Sequence, residues 1–159
     1  MLRTLMETQP RVSLLLVRLL LGGVMFPHGA QKVLGWWGGY GLNATIGFFT
    51  AQMHIPLVFA WLAIAAEFLG SLGLVAGLLT RVAAFGIAVN MVVAMVMVHL
   101  KNGFFMNWAG NQKGEGFEYH LLAIGAALVL MIDGGGAASL DRVLTARSDT
   151  VTPARVAAL

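Results

Sequence analysis

Residues 57–100 decide the fold: "LVFAWLAIAAEFLGSLGLVAGLLTRVAAFGIAVNMVVAMVMVHL". Within them, two apolar segments at 57–79 and 82–100 are separated only by Thr80 and Arg81. Each segment is about as long as a membrane-crossing helix, which needs roughly 20 apolar residues. Because the connection is so short, the two helices must be antiparallel neighbours. The stretch therefore predicts a hairpin of two transmembrane spans.

The composition of the whole chain is that of a polytopic membrane protein. Of its 159 residues 58% are hydrophobic and 11% charged, whereas soluble proteins carry about 25% charged residues. The ten lysines and arginines are scattered singly, so no basic patch for nucleic acid is predicted. The chain has no cysteine, which excludes dithiol chemistry, thiolate metal sites and disulfides. The partner that this composition predicts is the lipid bilayer.

Two further spans are predicted on either side of the hairpin, at residues 12–27 and 117–132, and the first could continue as helix towards Leu34. The predicted fold is therefore all-α, a bundle of four transmembrane helices. A glycine stop after the fourth span precedes Ser139, a predicted helix cap. The predicted organisation is an N-terminal segment, a membrane domain and a flexible tail, at residues 1–11, 12–144 and 145–159.

The two longer connections, residues 30–56 and 101–116, fall on the same side of the membrane because each joins an odd span to an even one. Residues 42–54 could form a short helix in the membrane interface. Six arginines lie on the opposite side from three lysines, and the more basic side is normally cytoplasmic. We therefore expect an inner (plasma) membrane protein with both termini inside. The arginines are Arg3, Arg11, Arg81, Arg142, Arg147 and Arg155, and the lysines are Lys32, Lys101 and Lys113.

Arg18 and Glu67 lie well inside their predicted spans. A charged side chain at this depth costs about 2.5–3.5 kcal/mol even on insertion scales. We expect the two to pair inside the bundle, directly or through other polar groups. The alternatives are that Arg18 snorkels to the headgroups and that Glu67 has only a structural hydrogen-bonding role.

Helical phase predicts that each span turns small residues and a polar group inwards. The four predicted faces are Arg18, Gly22, Met25, Gly29 and Lys32; Ala60, Ala63, Glu67 and Ser71; Ala83, Gly86, Asn90 and Ala94; and Glu118, Leu122 and Gly125.

A second group of polar residues falls near the outer ends of the spans, with His28, His99 and Glu118 close to Lys32. Trp36 and Trp37 follow directly, as an interfacial belt or as a lid. We predict a polar cavity that opens outwards beneath these tryptophans and narrows towards Glu67 and Arg18. His54 and His120 are expected to be surface or packing residues.

Five blocks of the sequence, in order, resemble the DoxX family of small four-helix membrane proteins. The likeness extends from Arg11 to Leu144. The blocks are "HGAQKVLGWWGGYGL", "IAAEFLGSLGLVAGLLTRVAA", "HLKNGFF", "GFEYHLL" and "SLD".

This resemblance implies an oxidoreductase or a subunit of a redox complex, since some relatives are similar to the membrane subunit of thiosulfate:quinone oxidoreductases. By matching position it points to Arg18, His28, Gly29, Lys32, Glu67, Arg81, His99 and Glu118. The cofactor it suggests is a quinone. A soluble or peripheral redox partner is implied because the chain has no dinucleotide or haem-attachment motif of its own.

The residues themselves argue against haem and against a metal. Only His28 and His99 could provide a pair of haem ligands, and both lie near the outer edge. Glu67 and Glu118 are fewer ligands than a helical di-iron centre requires.

Three functional classes stay open on the sequence. The first is a subunit that binds a quinone or a similar small apolar molecule, with Lys32, His28 and Arg18 as donors and Glu67, His99 or Glu118 as proton relays. The second is a transporter of a small solute or protons, and the third a scaffold or assembly subunit. Small-residue faces also suggest a homo-oligomer.

Overall fold

The computed structural model describes residues 2–151, and within them the fold is all-α, with no strand. The helices are α1 (Leu2–Met6), α2 (Val12–Leu34), α3 (Gly41–Gly47), α4 (Leu57–Ala76), α5 (Thr80–Ala94), α6 (Glu118–Asp133) and α7 (Leu140–Val151).

Three helices in the described part of the chain are long and apolar enough to cross a membrane: Val12–Leu34, Leu57–Ala76 and Thr80–Asn102. α2 continues unbroken through Pro27, so the first span is longer than the predicted 12–27. α5 continues to Asn102 as a π-helical and then a 3₁₀ turn. α6 has 16 residues, and a fourth span there stays a prediction.

The predicted hairpin is confirmed, although its turn lies slightly earlier than expected. α4 ends at Ala76 because Gly77 adopts the left-handed conformation, with φ at 67°, which commonly terminates a helix. Thr80 is already helical, so residues 77–79 make the turn.

Four helices form a closed ring in which α2 and α5 each contact both α4 and α6. The core between them is apolar and well packed, with Met25, Leu74, Ile87, Ala127 and Leu130 at 1% exposure or less. We call the end with α1, the 77–79 turn and α7 the terminal end. The end with residues 35–56 and 103–117 is the loop end.

The predicted interfacial helix at 42–54 is present in part, as α3 followed by a π-helical turn at Phe48–Gln52. Ser139 caps α7 as predicted, because its Oγ accepts a hydrogen bond from Arg142 N at 3.3 Å. α7 continues to Val151 and so extends into the segment expected to be a flexible tail. The rest of that predicted tail, residues 152–159, lies outside the described residues.

Candidate functional site

Arg18 does not pair with Glu67, and this sequence-based expectation is wrong. The Arg18 side chain is 1% exposed and donates five hydrogen bonds to main-chain carbonyls at the terminal end. Its acceptors are Gly135 O (2.9 Å), Leu74 O (2.9 Å), Val75 O (2.5 Å), Ala137 O (3.2 Å) and Ala138 O (2.7 Å). The guanidinium therefore ties the end of α4 to the chain that leads into α7. It also does not snorkel to the headgroups.

Asp141 supports the same junction from the other side. Its two carboxylate oxygens accept hydrogen bonds from Leu79 N at 2.7 Å and Thr80 N at 2.9 Å. It therefore caps the start of α5, where a negative charge also suits the helix dipole. Asp141 itself belongs to α7, so it caps a helix that is distant in sequence.

Glu67 lies near the middle of α4, 5% exposed, and meets a different base. Its Oε2 forms an ion pair with Nζ of Lys32, whose side chain is 26% exposed. Its Oε1 accepts a hydrogen bond from Asn90 Nδ2 at 2.9 Å. Lys32, Glu67 and Asn90 come from α2, α4 and α5, and we call them the charged triad. Acid and base thus do meet inside the apolar region, but in a pair that the sequence did not predict.

Gly29 allows the triad to form. A Cβ at Gly29 would lie 2.6 Å from Cα of Phe68, so α2 and α4 cross here at a distance that only glycine permits. Lys32 follows Gly29 by three residues and so lies on the same face of α2. The predicted inward face of α2 is confirmed, since Arg18, Gly22, Met25 and Gly29 are all buried.

His28 and Tyr119 lie beside the triad, where α2 and α6 meet. Their ring centroids are 6.4 Å apart, and His28 lies about one helical turn before Lys32 on α2. The Tyr119 hydroxyl lies 3.6 Å from the sulfur of Met25. The His28 side chain is exposed, so this side of the triad is the more open one.

His99 and His120 form a stacked pair at the loop end, with ring centroids 4.2 Å apart. His99 Nδ1 lies 2.9 Å from Glu115 O, in agreement with the predicted position of His99 within reach of the outer loops. His120 is 6% exposed, and its Nδ1 has no hydrogen-bond partner among the described residues.

Glu118 is not part of the inward face, and that helical-phase prediction is wrong. The face of α6 that includes Leu122 and Gly125 points outwards, with Leu122 73% exposed and no neighbouring atom within 4 Å of a Cβ at Gly125. The Glu118 carboxylate accepts a hydrogen bond from Met106 N at 3.2 Å and so holds the second loop. The buried face of α6 consists of His120, Ala123, Ala127 and Leu130.

Trp36 and Trp37 lie directly after α2 and are 51% and 63% exposed. Trp36 packs edge-on against Phe26, which stacks on Phe68 at 6.0 Å. The tryptophans are thus linked by aromatic contacts to the residue that follows Glu67.

A cavity of about 430 Å³ lies at the terminal end, remote from the triad. Its lining includes Arg11 and Asp133, which face each other at 3.6 Å, and Arg81, which donates to Thr4 O and Ile132 O at 2.9 Å. Arg81 therefore joins α1, α5 and α6, a structural role. The cavity predicted at the loop end stays a prediction.

In the described part of the chain, no three His, Cys, Asp or Glu side chains converge to hold a metal ion. The polar side chains that contact Glu67 are instead a lysine and an amide, those of Lys32 and Asn90.

Sequence reasoning did not select Tyr119 or Asn90 as site residues, and it expected His120 only as a surface or packing residue. The signal for His120 was present, because it shares helical phase with Ala123 and Ala127, the small residues of α6. Choosing Glu118 to define the face, on the ground of its charge, concealed that pattern.

Comparison with known proteins identifies the family of this chain. A family model described as DoxX matches residues 13–100. This chain belongs to the DoxX family. It is 30% identical over 119 residues, 75% of this chain and 78% of the relative, to a Bacillus subtilis (strain 168) protein named "Putative oxidoreductase CatD".

A second relative is an uncharacterized protein of Haemophilus influenzae, 29% identical over 136 residues, which cover 84% of this chain and 83% of the relative. No solved structure matches the chain. The resemblance noted in the sequence is thus confirmed at the level of the family.

Proposed function

We propose that this DoxX protein is a redox-complex subunit that binds a quinone, or a similar small apolar carbonyl compound, at the charged triad. The observation that carries the proposal is the ion pair of Lys32 and Glu67 between apolar helices, with Asn90 as its third member. The printed name of the Bacillus relative supports the oxidoreductase class.

The triad is poorly explained as a stabilising device. Replacing a buried ion pair by apolar residues of similar volume is often neutral or stabilises by about 1–4 kcal/mol. Ionisable residues inside spans therefore usually mark ligand or proton sites. In this chain three separate helices each contribute one polar group to the same place, which favours a binding site.

The donor set fits a quinone carbonyl. An ammonium group has three N–H donors, and Glu67 occupies one side of Lys32, so donors remain for a ligand oxygen. Lys32 is partly exposed and His28 is exposed, so we place the entrance of an outward-facing cavity between α2 and α6. Trp36 and Trp37 would cover an apolar ring there as a lid.

Reduction of a bound quinone takes up two electrons and two protons. Glu67 is placed to hold and release a proton, and Lys32 to stabilise negative charge on the ligand oxygen. Since the chain has no cysteine, the electrons would come from a soluble or peripheral partner. The role proposed for Arg18 as a ligand donor is withdrawn, because its five hydrogen bonds are made to the main chain.

We also propose that α6 is the fourth span and that the loop end faces outwards from the inner membrane. At 1.5 Å per residue, the 16 residues of α6 rise about 24 Å, somewhat less than the hydrocarbon core of about 30 Å. Its contacts with α2 and α5 support its place beside these two spans in the bundle. The excess of arginine at the terminal end supports a cytoplasmic location for both termini.

The proposal is tested by extracting and identifying the small molecule that co-purifies with the protein from native membranes. We expect a quinone with the wild type and at least about tenfold less with Glu67→Gln. Lys32, no longer held by Glu67, would lose its charge-assisted hydrogen bond to the quinone carbonyl, which costs roughly 1.5–3 kcal/mol. Glu7→Gln is the matched control, since Glu7 is exposed at the terminal end. Equal quinone content in wild type and Glu67→Gln would contradict the proposal.

A scaffold role is the second candidate, favoured by the Arg18 and Asp141 junction, whose hydrogen bonds all serve the main chain. If the triad were also structural, the charge-free double variant Lys32→Met with Glu67→Met would retain both stability and the redox phenotype. If the triad instead binds a quinone, the double variant should stay folded and stable but lose the redox phenotype.

A further inference from the structure

We propose that the cavity at the terminal end binds the headgroup of a membrane phospholipid that carries both a phosphate and an ammonium group, as in phosphatidylethanolamine. We call this cavity the terminal cavity. It is remote from the charged triad, so the inference does not depend on the function proposed above.

The terminal cavity lies at the height where the apolar helices end. α2 begins at Val12, α5 begins at Thr80 and α6 ends at Asp133. Arg11, Arg81 and Asp133, at or next to these ends, all line the cavity. The ends of spans meet the headgroup region of a bilayer rather than its hydrocarbon core. The volume of about 430 Å³ also falls within the range of roughly 300–1,000 Å³ that is usual for small-molecule sites.

Arg11 provides the more accessible positive charge in the cavity. Its side chain is 54% exposed, and its Nη1 lies 3.6 Å from Oδ2 of Asp133. That distance is too long for a hydrogen bond, and an ion pair between exposed side chains contributes little to stability. The guanidinium is therefore available to a phosphate, which arginine binds well through two parallel N–H donors.

Arg81 provides a second positive charge, whose position is fixed by the main chain. Nη1 donates to Thr4 O and Nη2 donates to Ile132 O, each at 2.9 Å. A guanidinium has five N–H groups, so each Nη nitrogen retains a second N–H beyond these two bonds. Because Arg81 lines the cavity, these remaining donors supplement Arg11 in binding the phosphate.

The charges in the lining favour a zwitterionic headgroup over an anionic one. Two arginines, Arg11 and Arg81, are balanced by two carboxylates, Glu7 and Asp133. A headgroup with a phosphate alone would bring its negative charge close to the carboxylates, and like charges disfavour binding. When the phosphate binds Arg11, an ammonium on the same headgroup can instead pair with Asp133, whose side chain is 41% exposed.

Apolar residues at the edge of the cavity favour a lipid over a soluble zwitterion. Ile132 lines the cavity and is 74% exposed, and Leu128, one turn earlier on the same face of α6, is 47% exposed. An acyl chain attached to a headgroup in the cavity would lie along this face. Leu14, 3% exposed, adds an apolar surface to the lining itself.

The test is native mass spectrometry of the full chain in detergent, titrated with phosphatidylethanolamine or phosphatidylglycerol. We expect saturable binding, tighter for phosphatidylethanolamine. Arg11→Gln should weaken phosphatidylethanolamine binding by about tenfold or more, as for loss of a charge-assisted hydrogen bond. Asp133→Asn should abolish the preference between the two lipids, because the ammonium loses its partner while the arginines still bind the phosphate.

Arg142→Gln is the matched control, since it removes the same charge from an exposed residue of α7 that does not line the cavity. It should bind phosphatidylethanolamine like the wild type. Glycerophosphoethanolamine, which has the headgroup but no acyl chains, tests the source and should bind much more weakly than the lipid.

Equal binding by the wild type and folded Arg11→Gln would overturn the proposal. So would a wild type without headgroup preference, or glycerophosphoethanolamine that binds as tightly as the lipid. If Arg11→Gln does not fold, Asp133→Asn decides alone, and a headgroup preference unchanged in that variant would contradict the site.

Discussion

The ring of helices buries two charged groups, Arg18 and Glu67, and binds them in opposite ways. At the terminal end, Arg18 donates five hydrogen bonds, all to main-chain carbonyls. Near the middle of α4, Glu67 is bound, among the described residues, through the side chains of Lys32 and Asn90. A charge held by the main chain is part of the fold, whereas a charge held by partly exposed side chains can exchange partners.

This difference separates a structural charge from a functional one. The Arg18 junction joins α4 to α7 and leaves little room for a ligand. The triad has a partly exposed lysine, and the exposed His28 lies about one turn before that lysine on α2.

Arg18→Met should lower the free energy of unfolding most, by more than about 4 kcal/mol, since it leaves several buried carbonyls without donors. Arg18→Lys should recover little of this, because a point ammonium cannot replace the planar fork of a guanidinium. Thermal unfolding in detergent measures both. If Arg18→Met lowered the free energy of unfolding by less than about 1 kcal/mol, the structural role of Arg18 would be contradicted.

Glu67→Gln should lower the free energy of unfolding by about 1–3 kcal/mol, because Lys32 then keeps its charge without a partner. The double variant Lys32→Met with Glu67→Met should be at least as stable as the single variant. Denaturation of the three proteins in parallel gives the comparison. A double variant less stable than Glu67→Gln would mean that the ion pair itself stabilises the fold.

Gly29→Ala should lower the free energy of unfolding by about 1–3 kcal/mol, because the new methyl group meets the Phe68 main chain and separates α2 from α4. Gly23→Ala is the control on the same helix, where a Cβ has no neighbour within 4 Å. It should be neutral or slightly stabilising. Equal unfolding temperatures for the two variants would contradict the close crossing at Gly29.

Asp141→Asn should have the smallest effect, about 1 kcal/mol, since asparagine can still cap α5 through one oxygen but loses the charge. The unfolding temperature measures it, and the quinone content should not change. A loss of quinone with an intact fold would show that the two ends are not independent.

Much of the fold was predictable because apolar length and turn chemistry are local properties. The hairpin, the Ser139 cap and the inward faces of α2 and α4 follow from apolar length, periodicity and the glycines that precede Ser139. The bounds of the first and third spans were less predictable, since α2 passes through Pro27 and α5 continues through a π-helical turn.

The site was only half predictable. Sequence identified Glu67 as a charge deep in its span and put Lys32 on the inward face of the first span near its outer end, but pairing depends on the height at which helices cross. That height is set by Gly29 against Phe68, a contact between distant segments. Arg18 was assigned to Glu67 because no local signal shows that residues 135–138 return to cover the end of α4.

Quinone binding at the charged triad can be measured by titrating decylubiquinone into the purified protein in nanodiscs. Tryptophan fluorescence reports the binding. We predict saturable quenching for the wild type and for Asp141→Asn, and loss of the saturable part in the Lys32→Met with Glu67→Met variant. Identical saturable binding by wild type and this double variant, both folded, would contradict the account.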